Sequence, residues 1–86
     1  MEIHKKTWPE LFEKVLIGKK NFDLRLADFN INEGDTLILE EYDPKTKKYT
    51  GRKIKKKAVN IIKLNPTEMH DIEDIKKFGF YIIEMK

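Results

Sequence analysis

Lys20, Asp23 and Arg25 fall within one short run, Gly18-Lys19-Lys20-Asn21-Phe22-Asp23-Leu24-Arg25. One acceptor flanked by two cations can orient a nucleobase edge and hold a phosphate. The guanidinium supplies planar, forked donors and the ammonium a mobile point charge. Left in bulk water, the same trio is only an ion cluster, worth little to stability. Asp23 and Arg25 are two positions apart, so on a strand they share a face, with Lys20 in the turn just before it. A second basic run, residues 45–57 (KTKKYTGRKIKKK), holds seven lysines, one arginine and no acid, with Tyr49 inside it. A basic strand interleaved with an aromatic can follow a phosphate backbone and stack a base. A lysine-rich edge hairpin that blocks strand-to-strand association has the same appearance, and both readings stay open. Lys53, Lys55 and Tyr49 are the candidates here, together with Arg52, which follows a glycine that lets another backbone or a ligand approach. Lys6 and Trp8, from the N-terminal segment, complete the set. Trp8 begins an apolar helical stripe and is read as core or a lid over the core rather than a base-stacking platform, although its indole edge can still face a binding cleft.

These side chains need elements to hold them. Residues 2–5 read as a short extended segment. Thr7-Trp8-Pro9-Glu10 then carries a helix-start signature, with Thr7 capping, Glu10 reaching back and Pro9 in the first turn. Trp8, Leu11, Phe12, Val15 and Leu16 recur at spacings of three and four, and Gly18 is the expected stop. Phe22, Leu24 and Leu26 alternate with Asp23 and Arg25, which predicts a half-buried strand with the apolar residues inward. Residues 30–35 (NINEGD) are turn chemistry, 36–42 (TLILEEY) a strand, and Asp43-Pro44 opens a hairpin. Tyr49 to Ile62 is one long strand whose inward parity shifts from Ile54 and Ala58 to Val59 and Ile61, the mark of a bulge. Residues 66–78 read as a short second helix or an ordered loop, and 79–85 (GFYIIEM) as a closing strand. One helix and five or six strands on short connections make an α+β, mainly β chain, and a small closed or nearly closed barrel is the natural architecture.

Composition sets bounds on this reading. Eighty-six residues allow a single domain, 1–86, with one modest core. Charged residues reach 38%, but the net charge is only +3, so the distribution of charge matters more than its sum. There is no cysteine, which excludes disulfides and cysteine–zinc sites. His4 and His70 are too few and too scattered for a metal site, so neither metal nor cofactor is expected. No apolar run is long enough for a signal peptide or membrane span, and a soluble, cytoplasmic monomer is expected. The chain lacks Ser and Gln and is rich in Lys, Glu and Ile, a bias that suits a hot environment or an AT-rich genome.

The run from Gly18 to Arg25 resembles the G-x-K-x-x-E-x-R signature of the ASCH domain, a branch of the PUA-like β-barrels. The resemblance extends to His4-Lys5-Lys6-Thr7-Trp8-Pro9-Glu10, Gly34-Asp35-Thr36-Leu37, Tyr49-Thr50-Gly51-Arg52 and Gly79-Phe80-Tyr81-Ile82-Ile83. It covers nearly the whole chain except residues 63–78. It implies a small barrel with the N-terminal helix across one end and a cleft between them, lined by the signature. It also implies binding of RNA or a modified nucleotide, with Lys20 and Arg25 on phosphate or base acceptors. Asp23 would take a base amine or fix Arg25. Here the signature reads GxKxxDxR: Asp23 stands where the family has glutamate and is one methylene shorter. Some ASCH members deacetylate acetylcytidine with a lysine, a threonine and a glutamate. The lysine falls on Lys20 but the threonine on Asp23, so that chemistry does not carry over intact. Two alternatives remain beside a binding module. One is a hydrolase acting on a modified nucleoside through Lys20 and Asp23. The other is a small protein-interaction domain.

Overall fold

The computed structural model describes residues 1–64 and 78–86. Strand β1 (Glu2–Thr7) leads into helix α1 (Pro9–Leu16), followed by β2 (Phe22–Leu26), β3 (Thr36–Asp43), β4 (Lys48–Leu64) and β5 (Phe80–Met85). The strands form one five-stranded sheet in the order β1-β3-β4-β5-β2. β1 runs parallel to β3, and the other pairs are antiparallel. The chain is therefore mainly β with one helix, as expected, but the barrel is not closed: β1 and β2 are the two edges of an open mixed sheet. The second helix or loop read over 66–78 lies almost entirely outside the described residues. No helix among the described residues is long and apolar enough to cross a membrane.

β4 serves both halves of the sheet. Its first half pairs with β3 and its second with β5, and the register shifts between Ala58 and Asn60 where the change of parity was expected. The core lies between sheet and helix. Leu37 and Leu39 of β3, Ala58 of β4 and Ile83 and Met85 of β5 close around Val15 of α1. Tyr81 joins them, its hydroxyl donating to the Phe29 carbonyl at 2.9 Å. β3 lies between two neighbours, so Leu37, Ile38 and Leu39 are all buried and its sequence is a continuous apolar run.

Both ends of α1 matter for the site. Pro9 occupies the first turn, which leaves Trp8 as the N-cap, with no side-chain capping bond. The capping box expected at Thr7 and Glu10 is therefore not formed, and Thr7 is the last residue of β1. At the other end Gly18 adopts φ +79°, its N–H donates to Val15 and the Lys19 N–H to Lys14. This pair of bonds is a Schellman closure, and the left-handed step it needs is easy only for glycine. The Lys20 N–H also donates to the Lys14 carbonyl at 3.1 Å, so the turn fixes where Lys20 leaves the helix.

β2 reverses the expected parity. Asp23 is 3% exposed, whereas Phe22 and Leu24 are 51% and 57% exposed. Alternation fixes that two faces differ but not which one turns inward. Two facts decide it here. Asp23 finds Lys20 and Arg25 as partners on the inner side. Leu24 lies in register with Ile82 and, across β5, with Ile62, so the outward apolar residues share one sheet face.

Candidate functional site

The end of β1, the start of α1, the turn after it and the middle of β2 enclose a cleft of about 420 Å³. Lys6, Thr7, Trp8 and Leu11 line one side and Lys20, Asp23, Leu24 and Arg25 the other. Arg25 donates through Nε to Asp23 Oδ2 and through Nη2 to Thr7 Oγ1 at 3.1 Å. Lys20 Nζ stands 3.6 Å from Asp23 Oδ1 and 5.7 Å from the centre of the Phe22 ring. Both Asp23 oxygens thus face cations, as a buried carboxylate requires. Arg25 and Thr7 stand on the two free edges of the sheet. Their bond shows that the sheet curls until its edges come within side-chain reach at this seam.

The charge of the cleft follows directly. Lys6, Lys20 and Arg25 face one carboxylate, and that carboxylate is engaged by two of them. The donors not spent on that carboxylate are the remaining Lys20 ammonium protons, Arg25 Nη1 and the Thr7 hydroxyl proton, all on residues that line the cleft. Trp8, 57% exposed, and Leu11 and Leu24 supply apolar walls. Such a site suits a flat, acceptor-rich, anionic group.

Five of the residues expected from sequence, Lys6, Trp8, Lys20, Asp23 and Arg25, meet in this cleft. Arg52 does not. Its guanidinium donates to Glu41 Oε1 and Oε2, both at 2.9 Å, and to Glu13 Oε2 at 3.0 Å, and it lies over the Phe12 ring at 4.8 Å. It clamps α1 to β3 and β4. Thr50 adds a bond to Glu41 at 2.6 Å. These donors, Arg52 foremost, hold the Glu41 carboxyl down to about 2 and push the Arg52 guanidinium further up. The Gly51 backbone turns at φ +95°, and among the described residues no atom lies within 4 Å of the place of its missing side chain. Glycine serves the conformation there, where the β3–β4 register shifts between Glu40 and Tyr42, rather than a close approach. Lys53 pairs with Glu40 at 3.4 Å and Lys55 with Glu2 at 3.8 Å. The basic run is thus divided: on β4, Arg52, Lys53 and Lys55 are paired with carboxylates of α1, β1 and β3, whereas Lys48, Lys56 and Lys57 have no ion-pair partner among the described residues. Tyr49 packs edge-on against Tyr42 at 5.1 Å, with Lys6 Nζ 4.5 Å from the Tyr42 ring and 6.0 Å from that of Tyr49. His4 pairs with Glu40 at 3.4 Å and does not line the cleft. Among the described residues no group of three or more His, Asp or Glu is placed to hold a metal ion.

Sequence reasoning missed Thr7, Leu11 and Leu24 as cleft residues. Thr7 carried a usable signal. Proline favours the first helical position, and counting back from Pro9 makes Trp8 the N-cap and frees Thr7 for another task.

Three comparisons bear on this chain. Its full length superposes on 98% of the crystal structure of hypothetical protein PH0355, with a TM-score of 0.74 at 22% identity, a likeness of fold. An uncharacterized 12.9 kDa protein from the GpA 3' region of Escherichia phage P2 is 37% identical over 65 residues, 74% of this chain. The chain spans only 58% of the length of that phage protein. Residues 3–74 match a domain of unknown function, DUF3850, and the chain belongs to that family.

Proposed function

We propose that this is a single ASCH-type, PUA-like domain whose cleft binds RNA or a modified nucleotide. The observation that carries the reading is the convergence of Lys20, Asp23 and Arg25 on one partly apolar cleft. These are the three charged positions that define the GxKxxDxR run. A curled sheet whose edges meet at Arg25 and Thr7 supports a PUA-like arrangement left open at that seam.

Asp23 acts as the anchor. With Arg25 Nε on one oxygen and Lys20 near the other, it fixes the guanidinium plane rather than contacting ligand. Arg25 presents Nη1, and Lys20 its remaining protons, to phosphate or base acceptors. Trp8 offers an indole face beside them for stacking, which tolerates any base. Lys6 adds charge at the rim. Tyr49 and the hairpin lysines add affinity without base choice.

A hydrolase acting on a modified nucleoside would use the same Lys20. The 3.6 Å Lys20–Asp23 pair favours that reading only if Asp23 can leave Arg25 to carry a proton. The two separate by experiment. RNA retained at low salt and released steeply with added salt, with retention reduced in Lys20→Ala and in Arg25→Ala, supports binding. Absence of retention at low salt refutes it. Turnover across a panel of acetylated nucleosides, abolished in Lys20→Ala, would transfer the site to the hydrolase reading.

A further inference from the structure

The cleft has a neighbour on each side. Leu24 and Arg25 form one of its walls, and they also line a second hollow of about 320 Å³ with Lys5, Leu26, Asp28 and Phe29. Trp8 forms another lip. Beyond it a third hollow of about 210 Å³ lies between the start of α1 and Asp43, Pro44 and Lys45 of the β3–β4 hairpin. The outer two share no lining residue, so the cleft is the middle of three consecutive hollows.

Each hollow carries a cation beside an aromatic. Lys5 Nζ stands 3.7 Å over the Phe29 ring in the second. Trp8 lines the cleft together with Lys20 and Arg25, and the third hollow together with Lys45. All three hollows bear acids: Asp23 in the cleft, Asp28 in the second, and Glu10 and Asp43 in the third. Asp23 is engaged by Arg25 and Lys20, and Asp43 accepts from the Lys45 amide at 2.8 Å. The hairpin charge continues the series. Arg52, Lys53 and Lys55 are paired with carboxylates, but the side chains of Lys45, Lys47, Lys48, Lys56 and Lys57 have no ion-pair partner among the described residues. Of these, Lys45 lines the third hollow and Lys48 stands in register with Asp43.

We propose that the ligand of the cleft is a single strand of nucleic acid occupying all three hollows. It runs from the Lys5–Phe29 hollow, across the Arg25–Leu24 wall and Trp8, and out along Lys45 and Lys48. This rests on the cleft being a nucleotide site and adds that one nucleotide does not fill the surface. A mononucleotide would need only the middle hollow and would leave the unpaired hairpin lysines without a role. A strand uses them to hold phosphates, the arrangement by which aromatic platforms and a basic groove bind single strands.

Trp8 is the only tryptophan, so its fluorescence reports on the junction of two hollows. The test titrates the full chain with uridylate oligomers of increasing length, from the mononucleotide to an octamer. Affinity is expected to rise at least about tenfold from one to about four nucleotides and then level off, in line with single-strand site sizes. The double variant Lys45→Ala/Lys48→Ala should weaken octamer binding and flatten its salt slope by roughly 0.7 for each phosphate no longer neutralised. It should weaken mononucleotide binding far less than octamer binding. Equal affinity for mononucleotide and octamer, both lost in Arg25→Ala, keeps the cleft and overturns the strand. An octamer affinity indifferent to the double variant also overturns it. Binding at no length removes the nucleotide reading of the cleft itself, and the strand with it.

Discussion

Arg25, on one free edge of the sheet, donates a hydrogen bond to Thr7 on the other. Among the described residues no backbone ladder joins β1 to β2, so this 3.1 Å bond is a direct link across the seam. It also fixes the guanidinium between Thr7 Oγ1 and the Asp23 carboxylate, with Nη1 outside both bonds. One side-chain bond thus bears on both the curl of the sheet and the aim of the cleft.

Thr7→Val tests this link with nearly the same shape. Losing one charged-donor hydrogen bond should cost about 1–3 kcal/mol of stability. If Arg25 is aimed through Thr7, ligand affinity falls as well, and denaturant unfolding beside a binding titration separates the two effects. A variant with unchanged stability and unchanged affinity would show that the seam is held by other interactions.

Asp23 neutralises two cations from a buried position. Asp23→Ala leaves Lys20 and Arg25 with an uncompensated charge and should cost about 3–5 kcal/mol. Asp23→Glu restores the carboxylate of the ASCH signature and should keep both fold and binding, with about 1 kcal/mol lost to the added methylene. Thermal unfolding of the two variants checks the contrast. Equal damage from both would mean that the shorter side chain is itself required.

The inverted parity of β2 makes a sharp contrast between two leucine-sized residues. Leu24→Ala removes a side chain that is 57% exposed, whereas Ile83→Ala empties a fully buried core position. The second should cost about 2–5 kcal/mol and the first under about 1 kcal/mol, as read by chemical denaturation. Binding should respond the other way, because Leu24 walls the cleft.

Glu41 sets an acid limit. Its folded pKa of about 2 lies below the ordinary 4.5 because Arg52 and Thr50 donate to the carboxylate. A depressed carboxylate contributes stability that is full above its unfolded pKa. That contribution is lost as pH falls from about 4.5 through about 2. Stability measured from pH 6 to pH 2 should decline over that window, and Glu41→Gln should lack that part of the decline. An identical pH profile in the variant would assign acid sensitivity elsewhere.

Much of this structure was legible in the chain. Pro9 and Gly18 bracket α1 because each suits one helix end and not the other. The parity change after Ala58 marked the point where β4 passes from β3 to β5. The cleft residues of the Gly18–Arg25 run also came together as their spacing suggested. The inward face of β2 was not legible, because alternation is symmetric and a buried Asp23 depends on partners that only the fold brings near. Thr7 was hidden behind its resemblance to a cap. Arg52 looked like a free cation, since nothing in its neighbourhood in sequence points to Glu13, thirty-nine positions away. The openness of the sheet was equally out of reach, since edge pairing depends on how far the strands curl.

The central claim is that the Lys20–Asp23–Arg25 cleft binds RNA or a nucleotide. It is tested most directly by titrating the chain with a short uridylate oligomer at low salt, with Trp8 fluorescence as the readout, in wild type and in Arg25→Ala. A saturable change in the wild type, weakened at least about tenfold in a folded Arg25→Ala variant, is the expected result, since one charge-assisted hydrogen bond is worth roughly 1.5–3 kcal/mol. Saturable binding of the same strength in both proteins, or none in either, would contradict it.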